Sequence, residues 1–442
     1  MPLLSSIKSL IPPPLLAKYH RTLATVAEVA YGHPSDKMIV IGVTGTNGKS
    51  STVNFLAQIL TTLGHTVGFT STAGFNIAGK EVTNAMKMTM PGRFNLQRLL
   101  RRMVDAGCTV AIVETSSQGL IQHRHIGINY DVALFTNLTP EHIEAHGGFE
   151  NYKNAKAILF EHLTARPHKV INGKKIAKVN VVNSDDEYGA FYGAFPADRH
   201  VKFGFTGTPT SDQLVAFVEY SDIGASTLSV NGIEAPLKLR ADFEHKNALA
   251  AVAGAVAVGI PLVDAMAAAS CLHSVPGRFE TIDCGQSFTV IVDYAYEPFA
   301  LLALYKSLPS MRNGGNIIGV HGSAGGGRDV ARRFEIGKIA AEHEDIVVVT
   351  NEDPYDEDPR VIIDAVADGA RKMGKTDDEN LFIIDDRAEA IQKAISLAEP
   401  GDVVLITGKG SEPVMAVANG KKIPWDDRVE ARRALEMVGY TL

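Results

Sequence analysis

The 442-residue chain is predicted to be an α/β protein. A P-loop-type domain on a parallel sheet, with a small antiparallel appendage, is followed by a Rossmann-like domain. Three observations predict this. Apolar runs of strand length alternate with helix-period segments, as a parallel sheet requires. One run, IVIGVTGTNGKSSTVNFLAQIL, turns through glycines directly into a helix. The alternation gives way over 212–270 and restarts after Val275-Pro276-Gly277, too late for a single core.

In chain order, residues 1–37 form a short arm, 38–275 a central domain and 276–442 a C-terminal domain. The arm begins MPLLSSIKSLIPPPLLAKYH, where Lys8 and three successive prolines break the apolar run. It is too short to span a bilayer and lacks the layout of a signal peptide, so a short helix packed on the first domain is expected. Strands are expected at 38–44, 109–114, 131–136 and 178–183. Short alternating segments over 212–239, with Asn231-Gly232 as a turn, form the antiparallel appendage. The alanine-rich stretch 243–270 makes two helices, and strands near 288–293, 316–320, 345–350, 381–384 and 402–407 build the second sheet.

Composition narrows the function classes. The net charge is −7, and no basic stripe or aromatic-interleaved Lys/Arg run is present, which argues against nucleic acid as a partner. The three cysteines, Cys108, Cys271 and Cys284, lack metal-ligand spacing and fit reduced thiols in a cytoplasmic protein. No run approaches membrane-spanning length.

The core of the glycine turn is Gly45-Thr46-Asn47-Gly48-Lys49-Ser50, followed by Ser51. Glycines let backbone N–H groups wrap an anion at a helix N-terminus, where those donors are unpaired and the dipole favours negative charge. Lys49 brings a point charge to the outer phosphates and Ser50 a hydroxyl for Mg²⁺. The spacing is a variant of the Walker pattern, because Val43 stands where a glycine is usual and Gly42 lies one place earlier. A nucleoside triphosphate is the expected ligand. Glu114 ends a strand at its C-terminal edge, where α/β sheets present ligand-binding groups, and is a candidate second oxygen ligand.

Further segments occur in a fixed order: ETSSQGLIQHR, FTNLTPEHIEAHGGFENYKNAKAILF, VPGRFE, VDYAYEP, GSAGGGRDVARR, TNEDPYDEDP and ITGKGSEP. Together with GVTGTNGKSS they resemble the motifs of the Mur ligase family, most closely its MurE type, over about 38–430. The resemblance implies an ATP- and Mg²⁺-dependent amide ligase. Such an enzyme activates an acceptor carboxylate as an acyl phosphate, which an amine then attacks; in-line positioning and cations are what that chemistry needs. It implies Lys49, Glu114, His142 and Lys156 as catalytic residues, with Ser50, Glu114, His142 and Lys156 around the metals. Lys156 falls on the family lysine that carries a carbamate formed with CO₂, which requires a neutral amine.

The resemblance also places Asn247 at adenine, Arg278 at an ATP phosphate and Asp293 at the ribose. It implies closure of the two domains over the nucleotide, with water excluded. The family histidine of DYAH is Tyr296 in this chain. Thr89, Ser116, Gln122 and Arg124 match positions holding the acceptor's peptide; Met90 stands where a second threonine is usual. Arg333 matches the arginine that pairs with the incoming amino acid's carboxylate, a bidentate task suited to guanidinium. Family members selecting diaminopimelate carry DNPR, whereas this chain has Glu352-Asp353-Pro354-Tyr355. With Glu412 these carboxylates favour a side-chain ammonium, so L-lysine or another diamine such as ornithine is expected.

The expected function is therefore addition of a diamine to a UDP-N-acetylmuramoyl-L-alanyl-D-glutamate-like acceptor in peptidoglycan synthesis. The same chemistry on a poly-γ-glutamyl or folate-like acceptor, and a nucleotide-binding regulatory protein without ligation, are the alternatives. ETSSQGLIQHR favours the first, and retention of Lys49, Glu114, His142 and Lys156 disfavours the last. The family's separate UDP-gripping domain has no counterpart in the 37 residues before the first strand. UDP is then held by other surfaces, gripped by a partner, or absent from the acceptor.

Overall fold

The computed structural model describes residues 13–82, 84, 88–140, 146–220, 226–308, 314–327 and 330–441. It divides into two compact units, one of residues 1–239 and 243–273, the other of 240–242 and 274–442.

The first unit is built on β1 (Ile39–Thr44), β2 (Val67–Thr70), β3 (Phe75–Ile77), β4 (Lys80–Val82), β5 (Val110–Glu114) and β6 (Val132–Phe135). A separate hairpin, β7 (Val170–Ile171) and β8 (Lys174–Lys175), comes next, then β9 (Val179–Asn183), β10 (Arg199–Gly204), β11 (Gln213–Tyr220), β12 (Ser226–Val230) and β13 (Ile233–Leu237). All but the hairpin join one 11-stranded sheet, in the order β13-β12-β11-β10-β9-β6-β1-β5-β2-β3-β4. Its centre is parallel, and the near-continuous Val/Ile/Leu runs of β1, β5 and β6 reflect burial on both faces. The expected appendage is continuous with this sheet, because β11 pairs parallel to β10 and antiparallel to β12.

The arm forms a helix, Pro13–Ala30, whose Ala24, Ala27 and Glu28 are buried in the first unit. Glu28 accepts from Arg166, and Gly127, at φ +87°, lets the helix come close: a Cβ there would lie 3.1 Å from the Ala24 carbonyl oxygen.

The second unit carries β14 (Glu280–Ile282), β15 (Thr289–Val292), β16 (Ile317–His321), β17 (Ile346–Thr350), β18 (Leu381–Ile384) and β19 (Val403–Ile406), in the order β14-β15-β19-β16-β17-β18. It is parallel except for the edge strand β14. A hairpin, β20 (Val414–Val417) with β21 (Lys421–Pro424), follows the last sheet strand. Helices Val330–His343 and Pro359–Lys372 meet backbone to backbone: a Cβ at Gly337 would lie 1.8 Å from the Val366 carbonyl oxygen.

Charged groups are also built into this core. Arg387 donates to both carboxylate oxygens of Asp427, at 2.8 and 2.7 Å, and to the Thr407 carbonyl at 2.6 Å, with both side chains almost fully buried. His321 lies 2.7 Å from Glu344, which also accepts from Tyr305, while its other ring nitrogen meets Thr407 at 2.8 Å. Deleting one member of a buried ion pair strands the other. Arg387→Ala is expected to cost about 3–5 kcal/mol and lower the melting temperature of the second unit by roughly 10 °C, read by calorimetry on the whole chain.

Candidate active site

The glycine turn has the shape its sequence implies. Gly48 caps helix Lys49–Thr62 at φ +78° with no side-chain capping bond, so the first-turn N–H groups, including those of Ser50 and Ser51, face a position without a protein cap. The loop is held from outside. Asn137 accepts from the Thr46 N–H through its carbonyl (2.8 Å) and from the Asn47 N–H through its side chain (2.9 Å). Thr136 and Asn137 side chains donate back to the Asn47 carbonyl. Glycine is required twice. At Gly45 (φ +150°) a Cβ would meet Thr136 Oγ1 at 2.0 Å, and at Gly48 it would meet Asn247 Oδ1 at 2.1 Å. Asn247 therefore lies against the loop.

Around this loop the structure gathers most of the residues expected from sequence. Lys49 Nζ curls back to the Thr46 carbonyl at 2.6 Å. Ser50 Oγ donates to Glu114 at 2.7 Å, and Glu114 is almost fully buried. The Thr72 N–H donates to the same Glu114 oxygen at 2.7 Å, and the Thr72 hydroxyl lies 3.1 Å from the other oxygen and 2.8 Å from the Thr89 hydroxyl. Thr72 was not expected; it sits just beyond the end of β2, and nothing in its surrounding sequence marks it. Lys156 is buried, donates to the Gly45 carbonyl at 2.7 Å and lies 4.3 Å from the Tyr152 ring centre. Tyr152 in turn touches Thr46 through its hydroxyl, at 3.1 Å. His142 lies outside the described residues.

Three of the residues expected on the acceptor side, Ser116, Gln122 and Arg124, flank helix Ser117–Ile121. Ser116 caps helix Ser117–Ile121, accepting from the Gly119 N–H at 3.2 Å. Arg124 donates to Gln122 Oε1 at 2.5 Å and to the Met90 carbonyl, one residue from Thr89.

The second unit brings together the remaining candidates. Arg278 lies over the Tyr294 ring at 4.0 Å. Asp293 accepts from the Phe279 and Ala295 N–H groups, both at 2.6 Å; burial raises its pKa and the Arg278 charge opposes the rise. Arg333 pairs with Glu357 at 2.7 Å. Two of the carboxylates expected to meet a substrate ammonium, Asp353 and Glu412, already hold an internal one. Lys409 Nζ donates to Asp353 at 3.0 Å, to Glu412 and to the Val414 carbonyl at 2.9 Å, with no side-chain exposure. Tyr294 donates to the other Glu412 oxygen at 3.1 Å. Sequence reasoning missed Lys409, although the GKG turn that carries it was in view.

Glu352 is the acid left over. It is buried, and its Oε2 has no hydrogen-bond partner among the described residues. Burial raises its pKa above the ordinary 4.5, opposed chiefly by Arg387. From sequence it counts with Asp353 and Glu412 among the acids facing a substrate ammonium; of the three it is the one with a buried oxygen that has no partner among the described residues.

Models of two families match the chain: the Mur ligase middle domain over residues 43–255 and the Mur ligase glutamate ligase domain over 277–410. A Roseiflexus sp. (strain RS-1) protein named UDP-N-acetylmuramyl-tripeptide synthetase is 39% identical over 424 residues, covering 95% of this chain and 82% of the relative. A Geobacillus kaustophilus protein named UDP-N-acetylmuramoyl-L-alanyl-D-glutamate–2,6-diaminopimelate ligase is 36% identical over 435 residues, covering 97% and 85%. A solved structure of a ligase with that second name superposes with a TM-score of 0.58 at 28% identity, covering 92% of this chain and 80% of that one. A glycine-loop unit and a Rossmann-like unit make up the fold the chain shares with these ligases. The chain belongs to the Mur ligase family, and within it is a ligase of the MurE type. That family is ATP- and Mg²⁺-dependent in general. Among the described residues no helix is long and apolar enough to cross a membrane.

Glu352 yields a stability prediction. A raised carboxyl pKa means the folded chain holds the proton more readily than the unfolded one. The associated stability is full below about pH 4.5 and is lost as pH climbs through the folded value. Glu352→Gln is therefore expected to raise the melting temperature at pH 8 and leave it near the parent's at pH 4.

Proposed function

We propose that this protein ligates a diamino acid, L-lysine or ornithine, to a UDP-N-acetylmuramoyl-L-alanyl-D-glutamate-like acceptor, consuming ATP in the cytoplasm. The nucleotide is assigned to domain 38–275 and the amino acid to domain 276–442. The observation that carries the reading is the Ser50–Glu114–Thr72 cluster at the mouth of the glycine loop. A hydroxyl and a carboxylate are hard oxygen donors, the set Mg²⁺ takes beside phosphates. The cap-free helix N-terminus and the glycine cradle suit the phosphates themselves. ATP supplies the group that makes the acceptor carboxylate electrophilic, and Mg²⁺ neutralises phosphate charge.

The chain's own residues supply the rest. Lys49 is placed to swing from the Thr46 carbonyl to the outer phosphates. Gln122 and Arg124 hold the acceptor peptide beside Thr89 and Ser116. Arg333 leaves its single Nη2 bond to Glu357 for the amino acid's carboxylate, which a guanidinium holds by two bonds. Because Lys409 neutralises Asp353 and Glu412, the distal ammonium is assigned to Glu352, which adjoins Asp353 in sequence and is a buried acid with an oxygen that has no partner among the described residues. Asn247 is assigned to the nucleotide.

Release of ADP and phosphate tests the reading, with the UDP-muramoyl-dipeptide, Mg²⁺-ATP and a panel of lysine, ornithine and diaminopimelate. Turnover requiring the acceptor and fastest with lysine or ornithine is expected. Faster turnover with diaminopimelate, the amino acid in the Geobacillus relative's name, overturns the diamine assignment. Turnover only with poly-γ-glutamyl or folate-like acceptors overturns the acceptor.

Lys156 is proposed to react as the neutral amine with CO₂, forming an N–C bond and losing a proton to give a carbamate anion. Lys156→Ala should lose at least roughly a hundredfold in kcat and regain part of it with short-chain carboxylic acids. Full activity without additive removes the carbamate.

A further inference from the structure

The helix Pro13–Ala30 contributes charge to a site of its own. Arg21 sits one turn before Ala24, whose carbonyl oxygen is held against Gly127. Gln97 fixes the same place by donating to the Gly127 carbonyl at 2.8 Å. Beside it, Arg93 donates to the Gln122 carbonyl, while its Nε is buried with no hydrogen-bond partner among the described residues. Arg124 reaches the side chain of that same Gln122 at 2.5 Å. His123, between them in sequence, is at φ +57° and ends helix Ser117–Ile121: its N–H donates to the Leu120 carbonyl and the Arg124 N–H to the Gly119 carbonyl, both at 2.9 Å.

These cations face one another. Burial, then the charges of Arg21 and Arg93, hold the His123 pKa down; burial and Arg93 do the same to Arg124. His123 and the buried His125 have ring centres 6.2 Å apart, and His125, pushed down to about 3, adds no charge. No ion pair among the described residues engages Arg21, Arg93 or Arg124. Arg21, Arg93 and Arg124 thus concentrate positive charge beside His123, in a chain whose net charge is −7, and such a patch suits an anion. Exposed Tyr19, two residues before Arg21, and Phe94, next to Arg93, border it with aromatic surface.

We propose that Arg21, Arg93 and His123, adjoining Arg124, bind the diphosphate of a nucleotide-diphosphate acceptor. The helix Pro13–Ala30 then supplies the grip on the anionic end of the substrate whose peptide end lies at Gln122 and Arg124. Arginine is suited to this because its fork meets two phosphate oxygens at once. The inference rests on the acceptor reading of the preceding subsection and adds the residues that recognise the nucleotide end.

Arg21 is exposed, so Arg21→Glu should fold normally. Steady-state kinetics with two acceptors test it: the UDP-muramoyl-dipeptide and the same muramoyl-dipeptide without UDP. Arg21→Glu is expected to raise KM for the UDP acceptor roughly tenfold, leave kcat unchanged, and leave the UDP-free acceptor unaffected. Arg21→Lys should restore most of the loss. An unchanged KM, or an equal rise for both acceptors, overturns the proposal. Calorimetric titration with UDP, uridine and inorganic pyrophosphate, with ADP saturating the glycine loop, decides independently of turnover. UDP and pyrophosphate binding that weakens in Arg21→Glu and Arg93→Gln, with uridine binding poorly throughout, upholds it. UDP affinity indifferent to both variants overturns it. Absence of turnover with both acceptors counts against the ligase reading alone.

Discussion

A glycine loop cannot hold itself open. Its N–H groups must point at a ligand, so they contribute little to the loop's own shape, and neighbours must satisfy the remaining backbone. Here Thr136 and Asn137, just past the end of β6, hold Thr46 and Asn47 by four hydrogen bonds. Because β6 pairs in register with β1, which feeds the loop, the sheet fixes the spacing of both ends. Glu114 ends the strand on the other side of β1 and reaches Ser50 across it. Three adjacent parallel strands thus deliver one cradle. The Lys156 bond to the Gly45 carbonyl adds a fourth element to it.

The second unit is governed by charge accounting more than by shape. Lys409 is matched by Asp353 and Glu412, Arg387 by Asp427, and Arg333 by Glu357. Burying such groups is costly unless each is paired and hydrogen-bonded. Against that background two buried acids keep an idle oxygen, Glu344 and Glu352. Glu344 is engaged through its other oxygen by His321 and Tyr305, which leaves Glu352 as the acid proposed for the cation.

Much of this was legible in the sequence because it depends on local pattern. Continuous apolar runs gave the central strands, and the glycine-to-helix transition gave the loop and Lys49. The short polar hairpins Phe75–Val82 and Val414–Pro424 were not legible, since three or four residues of mixed polarity carry no period. The side-chain pairings were hidden for another reason. Asp353, Glu412 and Lys409 are each consistent with a substrate site when read singly; only their distances show that they satisfy one another. Thr72 and Arg21 lie far in sequence from the groups they serve. The sheet and the packing of the first helix bring them there.

Lys409 has one more consequence. Its three N–H donors are spent on Asp353, Glu412 and the Val414 carbonyl, and its side chain has no exposure. An amine in that state is invisible to acylating reagents until the turn around it opens. It is therefore a natural timer: the slow appearance of label at this position would measure how often the turn that carries it opens.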